Sequence, residues 1–275
     1  MKSKDGKYNF DWFTKRAVKS IQKIDKNTWD FSDSLLLYTS SGSNTYKKLQ
    51  ETNTPYFRLV TKPEREYLTS IAEKVISMLP DNFDYIDLGP GTEHKELFFF
   101  DEIKKQGKKC TYLPVDISDY FLNIAKDHAE SQGIEVRPLK ASFEELPELI
   151  GNPITPRFVS LGLTFSNYAP QPVLRLLKDI AGKDGYVFIN AQMRDRVDMI
   201  ALQKVYQEDA VHMADEKVGF IGLNLTTDIS PLIVDDSFRA WCKVLKSNSL
   251  LNELGIKEGN KLLVFQSLRY TKEQL

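Results

Sequence analysis

The sequence has little of what metal, disulfide or surface-charge chemistry requires. It holds two cysteines, Cys110 and Cys242, outside any Cys-x-x-Cys pair, and three histidines, His94, His128 and His212. Zinc sites and disulfide frameworks need such ligands clustered at short spacings. Neither is expected, and no metal is assigned. Cysteine usage of this kind fits a reducing compartment, and the cytoplasm is the expected location. A surplus of one charge is also missing: 37 Lys and Arg stand against 38 Asp and Glu. Nucleic acids and anionic membranes select a basic surplus, so neither is an expected partner. No apolar run approaches the roughly 18 residues of a membrane span. Met1–Gly6 has no apolar stretch behind it and does not read as a signal peptide. Internal repeats and low-complexity tracts are lacking too.

What is present suits a core of some size. Hydrophobic residues make up 41% of 275, enough for one large domain with a smaller lobe. Residues 8–30 read as helix-rich, with Phe10, Trp12, Phe13, Val18, Ile21 and Ile24 at helical spacing. Residues 38–57 read as loop plus short helix, dense in aromatics. Pro63-Glu64 opens a helix, Pro suiting a first turn, and Pro80-Asp81 ends its apolar stripe. Strands and helices then alternate. Strands are expected at Tyr85–Leu88, Cys110–Val115, Glu135–Leu139, Arg157–Leu163 and Tyr186–Asn190, with helices over 93–106, 118–132 and 171–181. Such alternation predicts an α/β, Rossmann-like fold with a mostly parallel, doubly wound sheet. Ligands of these sheets sit at the carboxyl ends of the strands.

Those ends carry a pattern. The first strand runs into Asp87-Leu88-Gly89-Pro90-Gly91, and glycines let backbone turn sharply and approach a ligand. A dinucleotide fingerprint needs a third glycine where His94 stands, and no Gly-Lys-Ser/Thr follows, so phosphate binding is disfavoured. The second strand ends at Asp116, placed either to accept from ribose hydroxyls or to cap the next helix. The third leads to Ala141-Ser142-Phe143, where an aromatic ring can flank an adenine or belong to the core. The fourth leads to Leu163–Pro170, whose polar residues would face the methyl acceptor. A glycine loop, an acidic end, an apolar end and a polar end in this order describe a sheet that binds S-adenosyl-L-methionine (SAM).

With these motifs the chain resembles the histidine-specific, SAM-dependent methyltransferases, from about residue 35 to about residue 225. The family's Phe-Tyr-Asp-x-x-Gly-Ser is similar to Leu37–Ser43. Its Pro-Glu-Tyr-Tyr-Pro-Thr-Arg-Thr-Glu is similar to Pro55-Tyr56-Phe57 followed by Thr61–Glu64. Its Glu-Leu-Gly-Ser-Gly-x-x-x-Lys is similar to Asp87–Lys95, and its Pro-Val-Asp and Gly-Thr-x-x-Asn-x-x-Pro to Pro114–Asp116 and Leu163–Pro170. The resemblance implies a cofactor site of Gly89, Gly91, Lys95, Asp116, Ser142 and Phe143. It implies that Tyr56 and Asn167 hold the carboxylate of an amino-acid substrate, and that Tyr38 and Tyr206 line the pocket near its amine. Tyr38 and Asn167 are the expected catalytic residues, Tyr38 orienting the amine.

The departures bear on the acceptor. The family's Gly-Asp-Phe is Ala141-Ser142-Phe143 here, which removes an acidic contact. Its imidazole-reading glutamate and serine have two candidate counterparts. One alignment puts Phe265 and Ser267 there; another makes Lys261–Tyr270 the last strand of the main sheet. Either implies an acceptor other than histidine, an amino acid or small amine with an apolar body. The expected organisation is a helical segment over 1–66 serving a substrate lobe and a cofactor core over 67–195. A lobe insertion over 196–235 follows, then a helix and strand over 236–275 completing the core. A non-catalytic SAM-binding protein and a methyltransferase for another small acceptor are the alternatives.

Overall fold

A computed structural model describes residues 7–92, 95–208 and 214–274. His94 of the third-glycine reading, His212 and the start of the chain lie outside them. The chain divides into two compact units, one of Met1–Leu49 with Asp198–Arg269, the other of Gln50–Val197 with Tyr270–Leu275.

The first unit opens with α1 (Phe10–Ser20), whose first turn is capped by Asn9 accepting from the Trp12 amide at 3.0 Å. Two short antiparallel strands follow, β1 (Gln22–Lys23) and β2 (Thr28–Asp30). The apolar spacing predicts helix here as well. A turn intervenes because the Asp25 carboxylate accepts from the Asn27 amide at 2.8 Å, a local bond that competes with helix. Helix α2 (Ser40–Leu49) ends this portion.

The second unit is the α/β core. Helix α3 (Lys62–Ser77) precedes a regular alternation: β3 (Asn82–Leu88), α4 (Glu96–Lys105), β4 (Lys109–Asp116) and α5 (Asp119–Ser131). Then come β5 (Glu135–Val136), β6 (Leu139–Lys140), α6 (Leu146–Ile150), β7 (Arg157–Leu161), α7 (Pro170–Ala181) and β8 (Tyr186–Ile189). The sheet runs β5-β4-β3-β7-β8, with β6 also on β4, and every pairing is parallel. Period-two side chains split the core between its faces. Phe83, Tyr85, Tyr112 and Phe158 pack with Leu68, Ile76, Phe99 and Phe100. Ile86, Leu88, Val115 and Val159 pack with Val173, Leu177 and Ile180 on the other side. The fold is therefore Rossmann-like and doubly wound. The third strand comes in two pieces because Pro138 between them has no N–H to give the ladder.

At the amino end of this sheet, Arg157 is buried. Its guanidinium donates to the carbonyls of Ile180 at 2.9 Å, Ile150 at 3.1 Å and Gly151 at 2.9 Å. Arg157→Met leaves three carbonyls short of a donor, each worth about 1–3 kcal/mol when buried and unmet. Urea denaturation is expected to show a loss of about 3 kcal/mol or more, with cofactor affinity unchanged. A loss under about 0.5 kcal/mol, the scale of surface changes, would contradict this account.

The chain then returns to the first unit through α8 (Met199–Glu208), α9 (Ala214–Gly219), β9 (Ile233–Val234), β10 (Arg239–Lys243), α10 (Ser249–Glu253) and β11 (Lys261–Gln266). Its sheet runs β1-β2-β11-β10-β9. Strands β10 and β11 belong to this sheet, while Tyr270 makes a parallel bridge to Met193 in the second unit. Strand β11 lies parallel to β2 and antiparallel to β10. Its run Leu262–Phe265 is buried throughout, as a central strand with two neighbours requires. Among the described residues no helix is long and apolar enough to cross a membrane, and no three metal-ligating side chains gather.

Candidate functional site

The glycine loop is drawn over the end of the sheet. The Gly89 amide donates to the Val115 carbonyl at 2.9 Å, which ties the loop to β4. Gly89 and Gly91 have φ of 71° and 68°, left-handed values that side chains disfavour. A Cβ on Gly89 would lie 3.4 Å from Thr164 Oγ1 and 3.6 Å from Phe143 Cζ. Loop, aromatic ring and hydroxyl thus surround one space that a side chain would occupy.

Asp116 ends the neighbouring strand, half-buried. Its Oδ1 accepts from the Ser118 amide at 2.8 Å, a turn bond just ahead of α5, whose N-cap is Ser118. Burial pushes its pKa up to about 7, against the pull of the Ser118 and Ile117 amides. The Asp116 carbonyl accepts from the Ala141 amide at 3.1 Å, bringing the segment before Phe143 to the same edge. Ser142 lies on the same segment, next to Phe143. It caps the turn Phe143–Glu145 in a reciprocal box with Glu145, a structural use of its hydroxyl.

Beneath the loop lies a buried polar floor. Asp87 accepts from Tyr112 Oη at 2.9 Å and from Ser160 Oγ at 2.7 Å, so its carboxylate spans β4, β3 and β7. Burial lifts its pKa to about 6, Ser160 opposing. Lys95 Nζ lies 3.2 Å from Glu64 Oε1, which also accepts from Asn190 Nδ2 at 2.6 Å. Glu64, Asp87, Gly89, Lys95, Gly162 and Asn190 share the lining of a void of about 20 Å³. Glu64 and Asn190 also line a larger cavity of about 560 Å³ with Tyr67, Phe165, Leu174 and Ile189.

The expected acceptor residues fall in two groups. Tyr56 is buried just ahead of the π-helical turn Phe57–Thr61. Asn167 ends the 3-10 turn Leu163–Asn167, half-buried. Both belong to the unit with the glycine loop. Tyr38 and Tyr206 belong to the other unit. Tyr38 meets Tyr46 edge to face at 6.0 Å. Tyr206 is buried, with its hydroxyl 3.0 Å from Ser267 Oγ and 3.0 Å from Arg269 Nη2. The Tyr206 ring lies 5.6 Å from that of Phe265. Sequence reasoning missed Thr164, Glu64, Asn190 and Arg269. Glu64 looked like an ordinary first-turn acid, and Asn190 like the close of a strand; no spacing marks Glu64 as the partner of Lys95 and Asn190.

Residues 16–215 match the profile of a family described as histidine-specific, SAM-dependent methyltransferases. No curated protein matches the chain. Solved structures similar to it include a SAM-dependent methyltransferase from Aquifex aeolicus, 19% identical, over 61% of this chain and 87% of that one, TM-score 0.38. Another is a putative SAM-dependent methyltransferase from Methanococcus maripaludis, 13% identical, over 84% and 93%, TM-score 0.41. A third comes from Clostridium acetobutylicum, 14% identical, over 84% and 83%, TM-score 0.38.

Proposed function

This chain belongs to the histidine-specific, SAM-dependent methyltransferase family and is a SAM-dependent methyltransferase; from that premise we propose that its acceptor is the amine nitrogen of an amino acid or related small amine other than histidine. SAM supplies a methyl group already activated on a sulfonium, so the protein's share is alignment and exclusion of water. Gly89 and Gly91 would let backbone close on the cofactor. Asp116 would accept from its ribose hydroxyls, Phe143 would flank its adenine, and Lys95 would serve its charged end. Tyr56 and Asn167 would hold the acceptor's carboxylate, and Tyr38 would orient its amine.

The cluster around Tyr206 carries the choice against histidine. By the resemblance, Phe265 stands where a glutamate reads imidazole. Beside it, the buried Arg269 guanidinium donates to Tyr206 Oη and to Ser267 Oγ, each at 3.0 Å. An apolar ring and a fixed cation disfavour a protonated imidazole and suit an uncharged, apolar body.

The test is turnover of SAM on a panel of amino acids and arylalkylamines, with products identified by mass spectrometry. The preferred acceptor is expected to be apolar or aromatic. Histidine turned over with the highest kcat/KM of the panel would refute the reading. For that acceptor, Tyr56→Phe with Asn167→Ala removes two hydrogen bonds to a charged group, at about 1.5–3 kcal/mol each. KM should rise at least about 100-fold, with affinity for S-adenosylhomocysteine unchanged. An unchanged KM would remove the carboxylate assignment.

A further inference from the structure

Four elements of the core meet at one carboxylate. Glu64 stands in the first turn of α3 and is buried. Lys95 reaches it from the end of the glycine loop, immediately before α4, and Asn190 reaches it from the end of β8. Gly162, at the end of β7, packs against the pair: a Cβ there would lie 3.3 Å from Lys95 Nζ and 3.8 Å from Glu64 Oε1. The Lys95 and Glu64 side chains are 16% and 3% exposed. An ammonium on a flexible stem is normally found in water, and burying one is costly unless it is paired. Glu64 supplies this lysine with a paired carboxylate at 3.2 Å. The pair also borders the small void beside Gly89, so Lys95 is held at the loop rather than on the surface.

We propose that Glu64 is a positioning residue for cofactor binding: it holds Lys95 at the glycine loop, braced by Asn190, so that the ammonium meets the carboxylate of the cofactor's amino-acid end. This rests on the assignment of Lys95 to the cofactor. Glu64 acts through Lys95, so its effect depends on that lysine and on the ligand having an amino-acid end. S-adenosylhomocysteine has one; 5′-methylthioadenosine shares the adenosine and thioether but lacks it.

Calorimetry with both ligands on the full chain tests the proposal. Lys95→Ala and Glu64→Ala are each expected to weaken S-adenosylhomocysteine at least about tenfold, the scale of one charge-assisted contact. Both should leave 5′-methylthioadenosine within about twofold. The double variant should bind S-adenosylhomocysteine no more weakly than Lys95→Ala alone, because two residues acting through one contact are not additive. Glu64→Gln keeps an acceptor oxygen for both donors and should restore part of the loss; it also serves if Glu64→Ala does not fold. Equal weakening of both ligands by the Glu64 variants would reduce Glu64 to a structural role and overturn the proposal. Additive losses in the double variant would overturn it too. A Lys95→Ala variant with both affinities intact would instead remove the assignment of Lys95, and the proposal with it.

Discussion

Gly89→Val is expected to abolish SAM binding while the protein remains folded. The native φ of 71° lies in the left-handed region, which costs a side-chain-bearing residue about 1–2 kcal/mol. A β-branched residue is among the least tolerant there. The larger effect is occupancy. The Cβ would reach Thr164 Oγ1 and Phe143 Cζ at contact distance, and the two methyls would extend into the space those groups surround. Backbone and cofactor could no longer approach, while no core contact on either face of the sheet is lost. Affinity for S-adenosylhomocysteine should fall by more than about 100-fold, nearly 3 kcal/mol. Gly89→Ala should lose less, since its methyl only reaches the rim of the space. Calorimetry beside far-UV circular dichroism separates binding from folding. A valine variant that binds within about threefold of the parent would place the cofactor elsewhere.

Lys217→Met is expected to remove a pH dependence from the stability of the unit that contains it. Lys217 lies on α9 with no exposed surface. Its Nζ donates to the Asp33 carbonyl at 2.8 Å and sits 5.0 Å from the centre of the Phe31 ring. Burial holds its pKa down to about 7, with Asp33 and Asp30 pulling the other way. The unfolded chain keeps the ordinary value of about 10.4. Between the two values the unfolded state binds more protons than the folded one, so stability rises with pH across that window. The rise approaches tenfold in the folding equilibrium per pH unit. Below about pH 7 both states are charged, and the folded state bears the whole cost of a buried ammonium.

Methionine has similar volume and no charge, and such replacements of buried ions are often neutral or stabilising. The variant should be the more stable protein at pH 6, by roughly 1–4 kcal/mol. The difference should shrink to nothing or reverse by pH 10, where native Lys217 is neutral and keeps its bond to Asp33. Fluorescence reads this unit selectively, because all three tryptophans, Trp12, Trp29 and Trp241, belong to it. Taking the difference between native protein and variant cancels the opposing titration of Cys242, whose pKa burial pushes up to about 12. Parallel pH profiles would show that Lys217 is charged throughout.

The alternation of Phe83 and Tyr85 with Ile86 and Leu88 is enough to mark a strand buried on both faces, and repetition of strand and helix is enough for a parallel sheet. Gly89, Gly91, Asp116 and Phe143 can be proposed from sequence for the same reason: each is local to a strand end, and strand ends are where such sheets bind ligands. Tertiary structure decided the rest. Asn190 meets Glu64 across 126 residues, and Tyr206 meets Ser267 across 61. Strand β11 joins β2 and β10 rather than the parallel sheet, although its apolar run suits either place. Side-chain periodicity says which face of an element is buried; it does not say against what. The partners of Lys95, Tyr206 and β11 are set by how the elements pack, and so they became visible only in the folded chain.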